Sequence, residues 1–269
     1  MHHFASGFQR NYYGKADVIV YCLSPASDSL RFSANVTMLL YGDAFWPTYT
    51  TGDNTGLIAT DSMKNFIQRE SLNFAGAGLD EYCRFIAGKF LAIYPQTDGI
   101  QVSAVEIPYE RVAEGSAGLA PSGPERAMAR IEMNREGVVE TASGIYGFKL
   151  LRTGGSAFAG FVRDQYTTLP DLANRPLHMW LDLEWNCPES IADAVRQIVR
   201  HEFAAFQSGS IQQVIYQIGT RILERHQNVT EVRMEANNRT WDQVGESGGM
   251  FAYTDPRPPF GVLGLTLRR

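Results

Sequence analysis

Hydrophobic positions along this chain alternate between two periods. From Ala16 to Leu23 and again from Ala34 to Tyr41, β-branched and aromatic residues cluster in short runs joined by a Ser, Pro and Asp stretch, which predicts an antiparallel hairpin. The period then changes. Met63, Phe66 and Ile67, and further on Leu79, Tyr82, Cys83, Ile86, Phe90 and Ile93, recur at helical spacing and predict two amphipathic helices, the first capped by Thr60 or Asp61. Ile100 to Ile107 reads as a returning strand, Glu114 to Pro124 as a loop rich in Gly, Pro and Ser, and Glu125 to Met133 as another strand. From Ile145 the plan recurs: a strand to Leu151, a long glycine-rich loop, and a strand from Leu177 to Trp185. Helices carrying Ile191, Val195, Ile198, Phe203 and Phe206, and then Ile211, Ile215, Ile218 and Ile222, follow. Val232, Met234 and Ala236, and later Leu263, Leu265 and Leu267, alternate with period two and predict closing strands. The recurrence predicts an α+β protein of two similar units, 11–135 and 145–269.

With 269 residues, 44% of them hydrophobic and 20% charged, the chain can bury one large core or two modest ones. A formal net charge of -5, with no cluster of Lys and Arg, argues against a general nucleic-acid binder. Cys22, Cys83 and Cys187 are far apart and lack metal-ligand spacing, which reads as buried reduced thiols in a reducing compartment. No apolar run reaches the length of a membrane span, and Met1 to Arg10 lacks the apolar middle of a signal peptide, so a cytoplasmic location is expected. His2 and His3 are terminal, and His178, His201 and His226 are scattered without partners at ligand spacing; no metal is expected.

Polar signatures are spread through the chain. Tyr13-Gly14-Lys15 precedes the first strand, and Tyr49-Thr50 and Gly52-Asp53-Asn54 lead to Ala59-Thr60-Asp61-Ser62-Met63-Lys64-Asn65. Ser156-Ala157-Phe158-Ala159-Gly160-Phe161, Arg163-Asp164, Tyr166-Thr167-Thr168-Leu169-Pro170, Arg175 and Ser210-Ile211-Gln212 follow. In this order and spacing they resemble urate oxidase (uricase) over nearly the whole chain. The resemblance implies two tandem tunnelling-fold (T-fold) units, antiparallel sheets with helices on one face, which join those of neighbouring subunits into a β-barrel within a homotetramer. It also implies a cofactor-independent oxidase that uses O2 on urate or a related purine-type heterocycle, with active sites between subunits.

Each candidate has an ordinary alternative. Lys15 can be a solvated lysine and Thr60 a helix cap; together they make a relay in which a desolvated amine accepts a proton through a hydroxyl, the role the resemblance implies for them. Phe158 can anchor a loop, Arg175 can sit in a surface ion pair, and Gln212 can cap a helix. As the resemblance has it, Phe158 is a stacking platform, and Arg175, Ile211 and Gln212 clamp an anionic ring through a planar fork of donors, backbone contacts and an amide. Asp61 joins them at the substrate. Asn237 can be a turn residue, or hold dioxygen or water above the ring as the resemblance implies. Where uricases carry Pro-Asn-Lys-His, this chain reads Ala236-Asn237-Asn238-Arg239, and Pro124-Glu125-Arg126-Ala127-Met128 replaces their mid-chain histidine signature. Arg239 cannot shuttle protons as a histidine does, but can fix an anionic substrate or intermediate, or lie on the surface. The departure keeps two alternatives open: a sibling oxidase acting on another N-heterocycle, and a noncatalytic heterocycle-binding protein.

Overall fold

The computed structural model describes residues 11–24, 29–76, 78–187, 189–239 and 241–269. His2 and His3, and the turn expected at 25–28, lie outside them. The chain forms two compact units, one running to Ser122 and including Met128–Ala142, the other comprising Gly123–Ala127 and Ser143–Arg269.

In the first unit β1 (Tyr13–Ser24) and β2 (Ser29–Tyr41) pair antiparallel. The helices α1 (Trp46–Thr50), α2 (Thr60–Glu70) and α3 (Leu79–Ile93) follow. The strand β3 (Gly99–Glu106) then returns beside β2, a small ribbon of β4 (Tyr109–Arg111) and β5 (Leu119–Pro121) intervenes, and β6 (Arg126–Asn134) pairs with β3. The alternation of the sequence becomes one apolar sheet face. Val18, Val20, Val36, Met38, Leu40, Ile100, Val102 and Ile131 pack there against Met63, Ile67, Tyr82, Ile86 and Phe90 of the helices.

One register shift decides what stands at the head of β1. Lys15 pairs with Met38 but Val18 with Val36, so one extra residue is inserted, and Asp17 takes a positive φ of 60°. The bulge reverses the parity. Tyr13 and Lys15 therefore share the face of Leu40 and Met38, the face covered by helices, although they are odd-numbered and the buried Val18, Val20 and Cys22 are even. Gly14 is needed beside it, because a Cβ there would lie 1.9 Å from the Met38 carbonyl oxygen.

In the second unit β7 (Gly137–Phe158, from Ser143 onward), β8 (Leu172–Trp185), β9 (Glu231–Asn238) and β12 (Gly261–Arg268) lie in that order, all antiparallel. Between β8 and β9 run α4 (Ala192–Ala205) and α5 (Ile211–Arg225), and an exposed hairpin of β10 (Gln243–Ser247) and β11 (Met250–Tyr253) precedes β12. Leu177, Met179, Leu181 and Leu183 of β8 and Val232, Met234 and Ala236 of β9 are buried, as are Val195, Ile198, Val214, Ile215, Ile218 and Ile222 of the helices.

The glycine-rich loop expected between Leu151 and Leu177 is confined to residues 159–171, because β7 runs on to Phe158 and β8 begins at Leu172. β7 continues to Phe158 through a bulge between Arg152 and Ser156, where Gly155 adopts φ 76°. Three hydrogen bonds hold the bulge: Gly155 N donates to the Asn174 side-chain Oδ1 (2.6 Å), Ser208 N to Gly155 O (3.0 Å), and Ala157 N to Ser208 O (2.7 Å). Glycine marked a close approach of backbones here rather than the end of a strand.

No helix of the described residues is long and apolar enough to cross a membrane.

Candidate functional site

The candidates fall into two groups, one in each unit. In the first, Tyr13 packs edge-on against Phe45 at 5.0 Å, and its hydroxyl accepts a hydrogen bond from Ile58 N (3.0 Å), which ties the head of β1 to the segment leading into α2. Burial is the main cause that raises the Tyr13 phenol above its ordinary value. Thr60 is the first residue of α2. The cap position is Ala59, so the Thr60 hydroxyl is not spent on a capping bond, unlike the reading in which Thr60 caps the helix. The Asp61 carboxylate accepts from Lys64 Nζ (2.5 Å) and Asn65 Nδ2 (2.9 Å). Lys64 is the main cause that lowers Asp61 below the usual carboxylate range, and the Lys15 charge contributes to it. Gly52-Asp53-Asn54 leads into a turn over Thr55-Gly56, where Leu57 N donates to Asn54 O (3.0 Å) and Asp53 Oδ1 accepts from Thr55 N (2.9 Å) and Thr55 Oγ1 (2.6 Å).

In the second unit Phe158, Arg175, Ile211 and Gln212 line one cavity of about 280 Å³, together with Leu169, Asn238, Gly261, Val262 and Leu263. The Arg175 guanidinium lies 5.6 Å from the Phe158 ring centre, and Phe161 stacks with that ring at 5.0 Å and 15°. Arg175 Nε is buried without an acceptor, and burial lowers the guanidinium below its ordinary value. A cation that is desolvated and unneutralised favours an anion.

The start of α5 explains why Gln212 is available. Ser210 is the N-cap and accepts from Gln213 N (3.2 Å), while the Gln213 side chain reaches back to Gly209 N (2.8 Å), a reciprocal capping arrangement. The expected alternative, Gln212 as cap, does not occur. Ile211 and Gln212 occupy the first helical turn, where free N–H groups and the helix dipole favour negative charge.

Two candidates do not line this cavity. Asn237 pairs with Trp180 and Asn238 with Met179, so period-two alternation sends them to opposite faces, and Asn238 is the one that lines the cavity. Arg239, expected at the substrate, is not among the residues lining that cavity. Its guanidinium is sandwiched between the rings of Trp180 (3.7 Å) and Phe260 (3.8 Å), and its Nε is buried without an acceptor. His178, whose backbone oxygen accepts from Arg239 N, is lowered below its ordinary value first by burial and then by the charges of Arg239 and Lys149. A larger, more open depression of about 500 Å³ is lined by Asp182, Glu184 and Glu235 against Arg233, a wall of net negative charge that suits an anionic ring poorly. Among the described residues no group of three or more His, Cys, Asp or Glu gathers as a metal site.

Sequence reasoning missed Asn238, Leu169 and the β12 backbone. Asn238 sits beside the residue chosen, and only strand register separates them.

The fold and cavity define an α+β protein of two tandem T-fold units, each an antiparallel sheet with helices on one face. A uricase family model matches residues 141–263. The chain is 36% identical to the uric acid degradation bifunctional protein of Bacillus sp. (strain TB-90) over 95% of its own length, and spans 60% of that relative. It is 34% identical to a uricase of Halalkalicoccus jeotgali, covering 90% of this chain and 88% of that one. The crystal structure of urate oxidase from Bacillus sp. TB-90 superposes with a TM-score of 0.84 at 33% identity, covering 96% of this chain and 100% of that one. The chain belongs to the uricase family.

Proposed function

We propose that this protein is a cofactor-independent oxidase of urate or a closely related planar purine-type heterocycle. The observation that carries the reading is the Arg175 guanidinium, half-buried beside the Phe158 ring with its Nε buried and no ion pair among the described residues, in a cavity that also holds Gln212 at the N-terminus of α5. Phe158 stacks on the ring, Arg175 donates to its anionic edge, and the Ile211 backbone and the Gln212 amide fix its orientation. Lys15 takes a proton from the substrate through the Thr60 hydroxyl, with Asp61 beside them, and the electron-rich ring passes two electrons to O2. For urate the balance is urate, O2 and water to 5-hydroxyisourate and H2O2, the water oxygen entering the ring. Asn238 holds O2 or water over the ring, the task expected of its neighbour Asn237.

The active form is a homotetramer of the two units 11–135 and 145–269 per chain, closed into a barrel. Lys15, Thr60 and Asp61 of one subunit face the clamp of its neighbour, and the enzyme works in the cytoplasm. The sibling reading relied on Arg239 at the substrate; stacking of Arg239 between Trp180 and Phe260 favours urate instead.

Oxygen uptake and peroxide formation with urate test the proposal. Lys15→Met is expected to abolish uptake while anaerobic urate affinity stays within about three-fold, since the base is lost and the clamp kept. No uptake by the wild type, or near-wild-type uptake by Lys15→Met, would overturn the oxidase or the relay respectively.

A further inference from the structure

We infer that Arg152 is a positioning residue that sets the N-terminal turn of α5 against the cavity; the functional half of this inference rests on the reading of that cavity as a urate site. Arg152 lies on β7 opposite Leu177, two residues from Arg175 on the same face of β8. Its guanidinium gathers three acceptors from the α4–α5 connection. Nη1 donates to the carbonyls of Phe203 (2.9 Å) and Phe206 (2.8 Å), and Nη2 donates to Ser208 Oγ (2.5 Å).

These acceptors need it. Phe203 O is among the last carbonyls of α4, which have no partner inside the helix, and Phe206 is its C-cap. A cation there also complements the negative end of the α4 dipole, and the guanidinium lies 5.4 Å from the Phe203 ring centre. Ser208 is buried, stands two residues before the Ser210 cap, and is bonded through its backbone to Gly155 and Ala157 of the β7 bulge. One side chain thus joins the end of α4 to the start of α5. Ile211 and Gln212 begin immediately beyond. Among the described residues Arg152 forms no ion pair; its Nη donors are committed to this connection, its Nε is buried without an acceptor, and its charge adds to that of Arg175 on the same sheet face.

A lysine cannot reach all three acceptors, and Ser208→Ala deletes only the third. Anaerobic titration of urate into the full-length enzyme is expected to show about ten-fold weaker binding for Arg152→Lys and about three-fold for Ser208→Ala, from loss of charge-assisted bonds that hold the clamp. Turnover at saturating urate should stay within about two-fold, because no reacting atom is touched. Amide hydrogen exchange at 208–213 should accelerate in both variants. Unchanged exchange overturns the inference whatever the protein binds. Faster exchange with unchanged urate affinity overturns the link to the cavity, and a wild type that neither binds nor oxidises urate overturns the urate reading alone. If Arg152→Lys fails to fold, the same readouts on Ser208→Ala decide.

Discussion

Arg239 offers the clearest test of what the structure changes. Its guanidinium is covered on one face by Trp180 at 3.7 Å and on the other by Phe260 at 3.8 Å. Each cation–π contact contributes about 0.5–1 kcal/mol when exposed and about 2 when desolvated, and Arg239 is half-buried, so the two together fall between these limits at about 2–3 kcal/mol. Arg239→Ala loses both contacts. At about 2–4 °C per kcal/mol for a chain of this size, the thermal midpoint should fall by about 4–12 °C. Arg239→Lys should fall less, since a point charge retains attraction to the rings but not the planar stack. Because Arg239 follows β9 and stacks on Trp180, which faces away from Met179 and Asn238, urate turnover below the transition should remain within about three-fold of wild type. Differential scanning calorimetry and initial rates of peroxide formation measure the two effects. A wild-type midpoint for Arg239→Ala combined with turnover lowered by orders of magnitude would show that Arg239 acts on the substrate, and would refute the brace.

The neighbouring asparagines separate in the same way: Asn238→Ala should strongly lower urate turnover and Asn237→Ala should not, as read by initial rates of the two variants. Arg175→Lys should weaken anaerobic urate binding about ten- to a hundred-fold, the equivalent of losing one charge-assisted hydrogen bond of about 1.5–3 kcal/mol. Calorimetric titration checks it, and unchanged affinity would remove Arg175 from the clamp. The folded state holds His178 below its ordinary value of 6.5, so this group contributes stability above that pH and loses it as pH falls toward the folded value. The fall in thermal midpoint below pH 6.5 should therefore be shallower in His178→Gln than in wild type; equal slopes would refute the assignment.

The elements were largely legible because their signals are local. Period 3.6 in Leu79 to Ile93 and in Ile211 to Ile222 needs only that one helix face meet a core, and both helices stand where that pattern puts them. Alternation did the same for β9 and β12. The exposed hairpin of β10 and β11 was not legible, because every residue of β10 is exposed and leaves no apolar period to read. The strand through Gly154 and Gly155 leaves no local signal for a related reason: its partners, Asn174 and Ser208, come from segments distant in the chain.

The sequence by itself determined the two α+β units, whose periodicity runs along the chain, and its resemblance to uricases supplied the family and the residue types of the clamp. Tertiary structure alone decided which face each candidate occupies. The Asp17 bulge moves Lys15 to the helix-covered face, the unbroken register of β9 presents Asn238 rather than Asn237, and the Ser210–Gln213 cap frees Gln212. A strand changes faces with every residue, so one inserted residue reverses every assignment beyond it. That insertion is fixed by cross-strand hydrogen bonds and core packing, which no local pattern encodes.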